Sequence, residues 1–322
     1  MKKFNAAGPS IPGDHYMIDP LTRIDLPEIE SLIEDKRYFV LHAPRQTGKT
    51  TALLALMHYL NNHGKYRALY VNIEGAQAAR NNIGSGMSAI TQAIARQAAY
   101  YLNDPRLETW LSGHGEIDPN ERLSALLAHW AQITDQAVIL LLDEVDALIG
   151  DTLISLLRQI RGGYAQRPDA FPQTVVLCGV RDVRDYRIHT ADHEIITGGS
   201  AFNIKAVSLR MGNLSRAEME ALWRQHQDAT GQTIAPAIYP ELWEDSAGQP
   251  WLVNALGLEV SWNDREARNR SVAITLERYK AARERLIQSR ATHLDQLTDK
   301  LREPRVHCIV AGLLQGETTN ID

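Results

Sequence analysis

Apolar and polar residues along the chain follow two rhythms. Runs rich in aliphatic residues and of strand length occur at 38–41, 67–73, 137–142 and 174–179. Between them apolar residues return at helical spacing. Leu26, Ile29, Leu32 and Ile33 form one stripe over 25–34, with Pro27 near its start. Leu53, Leu56, Met57 and Leu60 form a second, which Gly64 closes. Helices are also predicted over 86–102 and 121–133, separated by Gly113, Gly115 and Pro119. Another follows Asp151, where Leu153, Leu156, Leu157 and Ile160 share a face. With a weakly alternating run at 204–209 completing the series, the pattern is that of a parallel sheet with helices on both faces.

From Ser215 the strand rhythm stops. Ser215 and Glu218 form a capping box, Met219, Leu222 and Trp223 an apolar face, and Gly231 an end. A short helix is expected at 239–246, and Pro250 opens another with Trp251, Leu252, Ala255 and Leu258 as its stripe. Residues 295–301 are amphipathic and 306–314 apolar. At the other end, Gly8, Pro9, Pro12, Gly13 and Pro20 make residues 4–20 irregular. The expected organisation is an irregular lead-in at 1–14, an α/β parallel-sheet domain at 15–212 and a helical domain at 213–322.

The most specific chemistry lies between the first strand and its helix. Pro44, Arg45, Gln46, Thr47, Gly48, Lys49, Thr50 and Thr51 follow the phosphate-loop pattern G-x-x-x-x-G-K-[ST], except that Ala43 stands at the first glycine. A helix N-terminus offers a phosphate unpaired N–H groups and partial positive charge. Gly48 lets the backbone approach closely, Lys49 is read as an exposed loop cation for the β- and γ-phosphates, and Thr50 supplies a hydroxyl to Mg²⁺. All eight residues are candidate nucleotide contacts. The loop resembles that of P-loop proteins, in which the segment before the first strand often lies over the nucleotide base; this implies residues 14–22 as a candidate contact to adenine, the other reading being a surface loop.

The run at 137–142 ends in Asp143-Glu144. An unbroken apolar run is natural for a parallel strand buried on both faces, and ligands bind at the C-terminal ends of such strands. Asp143 is the candidate Mg²⁺ ligand, mostly through water, and Glu144 the candidate group that orients or deprotonates an attacking water. The run at 174–179 leads at once into Arg181, Arg184 and Arg187, interleaved with Asp182 and Asp185. Arginine suits a γ-phosphate, and Arg181 stands nearest the strand end; the other reading is a salt-bridge net among these five residues. The candidate catalytic set is Glu144, Lys49 and Arg181.

Composition narrows the classes. The 322 residues, 44% hydrophobic and 23% charged, have room for two globular domains. A net charge of -5 offers no general basic surface for nucleic acid, so any such contact is local. Residues 261–305 carry eleven Lys or Arg against seven Asp or Glu, read either as a solvated helix or as a phosphate-backbone contact. Cys178 and Cys308 support neither a disulfide framework nor a metal cluster. No apolar leader or membrane-length apolar run is present, so a cytoplasmic location is expected and no membrane partner.

Gly48-Lys49-Thr50, Asp143-Glu144 and a later strand ending near Arg181 together resemble the additional-strand P-loop ATPases, the AAA+ and STAND group. Within it the chain is similar to the bacterial AAA-like domain ATP-binding proteins, through Pro44 to Thr51, Gly179-Val180-Arg181-Asp182 and Gly248-Gln249-Pro250-Trp251-Leu252. The resemblance implies a P-loop core followed by a helical lid, ATP and Mg²⁺ as cofactors, and ATPase activity. Gly248-Gln249-Pro250 is its STAND-like element, usually opening a helix of the small domain near the nucleotide. A protein partner or effector is expected to carry the output, while DNA and self-association stay open; no arginine finger for a neighbour is identified. Two other classes share these residues: a nucleotide switch with little turnover, and a small-molecule kinase with the three arginines as a lid. Glu144 directly after Asp143 favours hydrolysis, because water needs an orienting carboxylate.

Overall fold

A computed structural model describes residues 1–182, 187–189, 195–197 and 202–289. The chain divides into two compact units, Ile18–Asn213 and Met1–Met17 with Leu214–Asp322.

In the first unit the described strands are β1 (Tyr38–His42), β2 (Tyr66–Asn72), β3 (Ala137–Asp143), β4 (Thr174–Gly179), β5 (Arg187–His189), β6 (Ile195–Thr197) and β7 (Lys205–Arg210). Five of them form a parallel sheet in the order β2-β3-β4-β1-β7, and β5 pairs with β6 as a short antiparallel ribbon. The helices are α1 (Leu26–Glu34), α2 (Lys49–Asn62), α3 (Ile83–Leu102), α4 (Arg106–Gly113), α5 (Pro119–Gln132) and α6 (Gly150–Gly162).

Side-chain alternation on β3 explains its unbroken apolar run. Val138, Leu140 and Leu142 enter a core with Ile90, Ile94, Leu126, Trp130, Leu156 and Leu157, contributed by α3, α5 and α6. Ile139 and Leu141 enter the opposite core, with Ile29 and Ile33 of α1 and Leu53, Leu56 and Met57 of α2. Each large aliphatic side chain buried this fully contributes roughly 1.5–3 kcal/mol. Polar caps set the helix starts. Asp25 accepts from the Glu28 N–H ahead of α1, and Asp118 from the Asn120 N–H ahead of α5, which has Pro119 in its first turn. Helix α4 is absent from the elements expected above: its stripe is only three residues long, Leu107, Trp110 and Leu111, of which Leu107 alone is fully buried.

The second unit holds α7 (Arg216–Thr230), α8 (Ile238–Ser246), α9 (Pro250–Leu258) and α10 (Leu276–Gln288). The capping box at Ser215 and Glu218 is formed as expected. The irregular opening segment is built into this unit through its aromatic residues. Phe4 lies 5.1 Å from the Tyr16 ring and 5.6 Å from the Trp223 ring, and Tyr16 meets the His226 imidazole edge-on at 5.6 Å. Tyr16 is 1% exposed, which removes it from the residues of 14–22 that could reach a base. Among the described residues, no helix is long and apolar enough to cross a membrane. The expected stretches 295–301 and 306–314, Cys308, and the side chains of Arg184, Asp185 and Arg187 lie outside the described residues.

Gly248-Gln249-Pro250 has a local explanation. Ala247 and Gly248 take left-handed backbone angles, Gln249 accepts from the Leu252 N–H at 2.6 Å as the cap of α9, and Pro250 fills its first turn. A Cβ on Gly248 would stand 2.0 Å from the Leu214 carbonyl oxygen, while the Leu214 N–H donates to the Gly248 carbonyl at 2.8 Å. Gly248→Ala should therefore destabilise the protein by about 2–4 kcal/mol through overpacking and a strained left-handed residue. Chemical denaturation measures it, and an unchanged midpoint would contradict the close approach.

Candidate nucleotide site

Because the five strands are parallel, the ends of β1, β3 and β4 emerge at one edge of the sheet. The loop of residues 43–48 follows β1 there, and Asp143-Glu144 closes β3. Strand β4 lies between them, so loop and acids stand two strand spacings apart, about 10 Å. Side chains span that gap. The Thr50 hydroxyl donates to Asp143 Oδ2 at 2.7 Å, joining the first turn of α2 to the end of β3.

The loop's geometry accounts for its residues one by one. Gly48 caps α2 at φ 91°, a backbone angle that favours glycine, and a Cβ there would lie 3.1 Å from Arg23 Nη1, a tight contact that the arginine would have to ease by a few tenths of an ångström. Ala43 is fully buried, is not among the left-handed residues, and donates its N–H to the Gly179 carbonyl at 3.2 Å. A methyl fits there, so the missing first glycine leaves the loop intact. The Ala52 N–H donates to the Gly48 carbonyl, so α2 begins at Lys49 with Gly48 as its cap and Lys49, Thr50 and Thr51 in its first turn. Gln46 is left-handed at φ 59°, and Pro44, Arg45 and Gln46 are exposed on the rim. Thr47 is buried and donates to the Pro44 carbonyl at 2.8 Å.

Lys49 departs from its expected exposure. It is only 6% exposed, and its ammonium donates to the Ala43 and Pro44 carbonyls at 2.9 and 3.0 Å. The loop folds around its own cation. Arg23 was not anticipated at all. It lies at the end of a 3-10 turn (Pro20–Arg23) and donates to the Thr47 carbonyl at 2.6 Å and the Gly212 carbonyl at 2.7 Å. It ties the loop to the chain leaving β7. A lone arginine 25 residues ahead of Gly48 carries no local signal for this.

Asp143 is fully buried, with three neutral donors: Thr50 on Oδ2, Tyr70 on Oδ2 at 3.1 Å, and the Glu144 N–H on Oδ1 at 2.9 Å. Glu144 sits in the left-handed region at φ 60°, half-buried and turned away from the strand direction. Burial, then the charges of Asp143 and Asp146, push its carboxyl up, with Lys49 opposing. Asp146, placed by its position in the sequence to cap or line the site, accepts from the Val180 N–H at 3.0 Å and so fastens the acid loop to the end of β4. Arg181 is exposed one residue beyond that bond. Asp182 next to it is buried.

The donor set fits Mg²⁺. A hydroxyl and a carboxylate, both hard oxygen ligands, already converge at Thr50 and Asp143, and the buried Asp143 charge is met only by neutral donors among the hydrogen bonds described. Among the described residues no cluster of three or more His, Cys, Asp or Glu could hold a metal alone. Mg²⁺ held here would need substrate and water oxygens to complete its shell, as it does in sites that bind nucleotide phosphates.

A parallel sheet of this order, with a phosphate loop after β1 and an acid pair after β3, is an α/β P-loop fold. Solved structures share it. The Walker-type ATPase PABY2304 of Pyrococcus abyssi aligns with TM-score 0.58 at 13% identity, over 94% of this chain and 80% of that one. Orc1 of Aeropyrum pernix, solved in complex with DNA, aligns with TM-score 0.56 at 14% identity, over 87% and 68%. Domain III of the Thermotoga maritima replication initiation protein DnaA aligns with TM-score 0.50 at 13% identity, over 84% and 93%. No protein-family model and no curated protein matches the chain.

Two substitutions separate ligand contact from loop support. Lys49→Ala should abolish measurable ATP binding by calorimetry and lower stability by about 1–2 kcal/mol, since two carbonyls lose their donor. Arg23→Ala should weaken ATP and ADP alike, by about ten-fold, the scale of one hydrogen bond from a charged group. Wild-type affinity in a folded Lys49→Ala protein would refute the site.

Proposed function

We propose that this chain binds ATP with Mg²⁺, hydrolyses it, and passes its nucleotide state to a partner protein. The observation that carries the reading is the Thr50 to Asp143 hydrogen bond, which joins the phosphate loop to the acid pair from a different strand. Lys49 and the first-turn N–H groups of α2 bind the β- and γ-phosphates, and Thr50 with Asp143 holds the metal. The metal would supply charge neutralisation on the phosphate oxygens when bound. Glu144, in its left-handed turn directly after Asp143, takes the water, so one acid serves the cation and the next the nucleophile. Arg181, just beyond β4, is the residue assigned to the γ-phosphate.

The helical unit bears on partners. The basic residues of α10 are paired: Arg278 with Asp264 at 3.1 Å, Arg283 with Asp245 at 3.2 Å, Arg285 with Glu259 at 2.9 Å and Lys280 with Glu241 at 3.6 Å. This favours the solvated, ion-paired helix over a phosphate-backbone contact for α10, because clustered free cations are what such contacts need. DNA binding, known for the Orc1 neighbour from its complex, is therefore a reading that this part of the chain does not favour. A protein effector and a cytoplasmic location are kept as proposals.

Glu144→Gln should retain Mg·ATP and hydrolyse it at least ~100-fold more slowly, the scale of losing a positioned general base. Asp143→Asn should bind Mg·ATP poorly, because it removes a ground-state contact. Phosphate release and nucleotide binding are measured side by side. Equal turnover in Glu144→Gln and wild type would remove Glu144 from the chemistry, no turnover in wild type with candidate partners would leave a switch, and a phosphorylated small molecule would indicate a kinase.

A further inference from the structure

The candidate metal carboxylate has a partner that no phosphate-loop or acid-pair pattern contains. Tyr70, on β2, donates its hydroxyl to Asp143 Oδ2 at 3.1 Å, the oxygen that also accepts from Thr50 at 2.7 Å. The direction of the bond follows from the groups themselves: a carboxylate oxygen accepts, and the phenol O–H donates. The remaining oxygen, Oδ1, accepts the Glu144 N–H at 2.9 Å. Both carboxylate oxygens are thus engaged, and the plane of the group is defined.

The three donors differ in stiffness. Thr50 can turn about one side-chain bond, and its oxygen is also the group a metal would take. Tyr70 has no such freedom. Strand β2 pairs with β3 along seven residues, with Tyr70 opposite Leu141 and Asn72 opposite Asp143. The Tyr70 ring is 5% exposed and meets the Tyr101 ring edge-on at 6.3 Å. The phenol oxygen is consequently a fixed point beside a carboxylate that has to offer its free lone pairs to a small octahedral cation. Mg²⁺ demands near-ideal geometry at about 2.0–2.1 Å, whereas Ca²⁺ accepts looser and longer arrangements at about 2.3–2.6 Å.

We infer that Tyr70 is a positioning residue for the divalent cation, holding the Asp143 carboxylate in one orientation and so setting both the affinity for Mg²⁺ and its preference over Ca²⁺. The inference rests on the nucleotide site proposed above. It assigns Tyr70 no contact with nucleotide or metal; the effect runs through Asp143.

The test uses the full chain and a fluorescent ATP analogue, titrated with Mg²⁺ or Ca²⁺. Tyr70→Phe should raise the Mg²⁺ concentration for half-maximal binding by about ten-fold, the scale of one hydrogen bond to a charged group, and should move the Ca²⁺ midpoint less. Tyr101→Phe, which keeps the ring contact and touches no part of Asp143, should keep wild-type midpoints. In an Asp143→Asn background, Tyr70→Phe should add no further shift, since the two changes then remove one interaction. Wild-type midpoints in Tyr70→Phe, equal shifts for both cations, a matching shift in Tyr101→Phe, or a Tyr70→Phe chain that does not fold would each assign Tyr70 to stability alone and overturn the inference. Failure of the wild-type protein to bind the analogue at any Mg²⁺ concentration would instead refute the underlying nucleotide reading.

Discussion

A carboxylate with no exposure to water is the constraint on which the site depends. Moving an ionised group out of water is expensive unless hydrogen bonds or a counter-charge replace the lost hydration. At Asp143 the replacements are the Thr50 hydroxyl, the Tyr70 hydroxyl and the Glu144 backbone N–H, drawn from α2, β2 and the residue following β3. Each donor is in place only if the sheet has its observed register and α2 begins at Lys49. Folding of the sheet and assembly of the site are therefore the same event, and a cation arriving there would meet a ready-made negative group.

The backbone at the site is correspondingly strained. Gln46, Gly48 and Glu144 all have left-handed angles, and two of the three are not glycine. Such residues persist where surrounding contacts over-determine them. Around the loop those contacts are visible: Lys49 holds the Ala43 and Pro44 carbonyls, and Arg23 holds Thr47 and Gly212. Around the acids, Asp146 holds the Val180 N–H. The loop and the acid turn are thus kept in unfavourable conformations by charged side chains that make their hydrogen bonds with backbone.

Arginine and lysine serve different ends in the two units. In the first, Arg23 and Lys49 satisfy backbone carbonyls close to the phosphate loop. In the second, Arg278, Arg283 and Arg285 of α10 pair with Asp264, Asp245 and Glu259. Ion pairs this exposed contribute about 0–1 kcal/mol each. Their greater effect is on the character of the surface, which becomes mixed in sign instead of basic.

The sequence by itself determined the five strands of the parallel sheet and most of the helices around them, the phosphate loop, the acid pair and the helical character of the described residues after Ser215. These follow from local periodicity and from residue types whose chemistry is tied to short spacings, as with Gly48-Lys49-Thr50 and the unbroken apolar run before Asp143. Helix α4, with a stripe of only Leu107, Trp110 and Leu111, and the short β5–β6 ribbon were not legible, and the packing of Phe4 and Tyr16 with Trp223 and His226 joins residues more than 200 positions apart. Only the tertiary structure decided that β4 lies between β1 and β3, that Ala43 is harmless, that Lys49 is buried, and that Arg23, Tyr70 and Asp146 support the site. The physical reason is common to all of them: strand neighbours, hydrogen-bond partners and burial depend on which distant segments the sheet brings together, and a single residue's type carries no record of that.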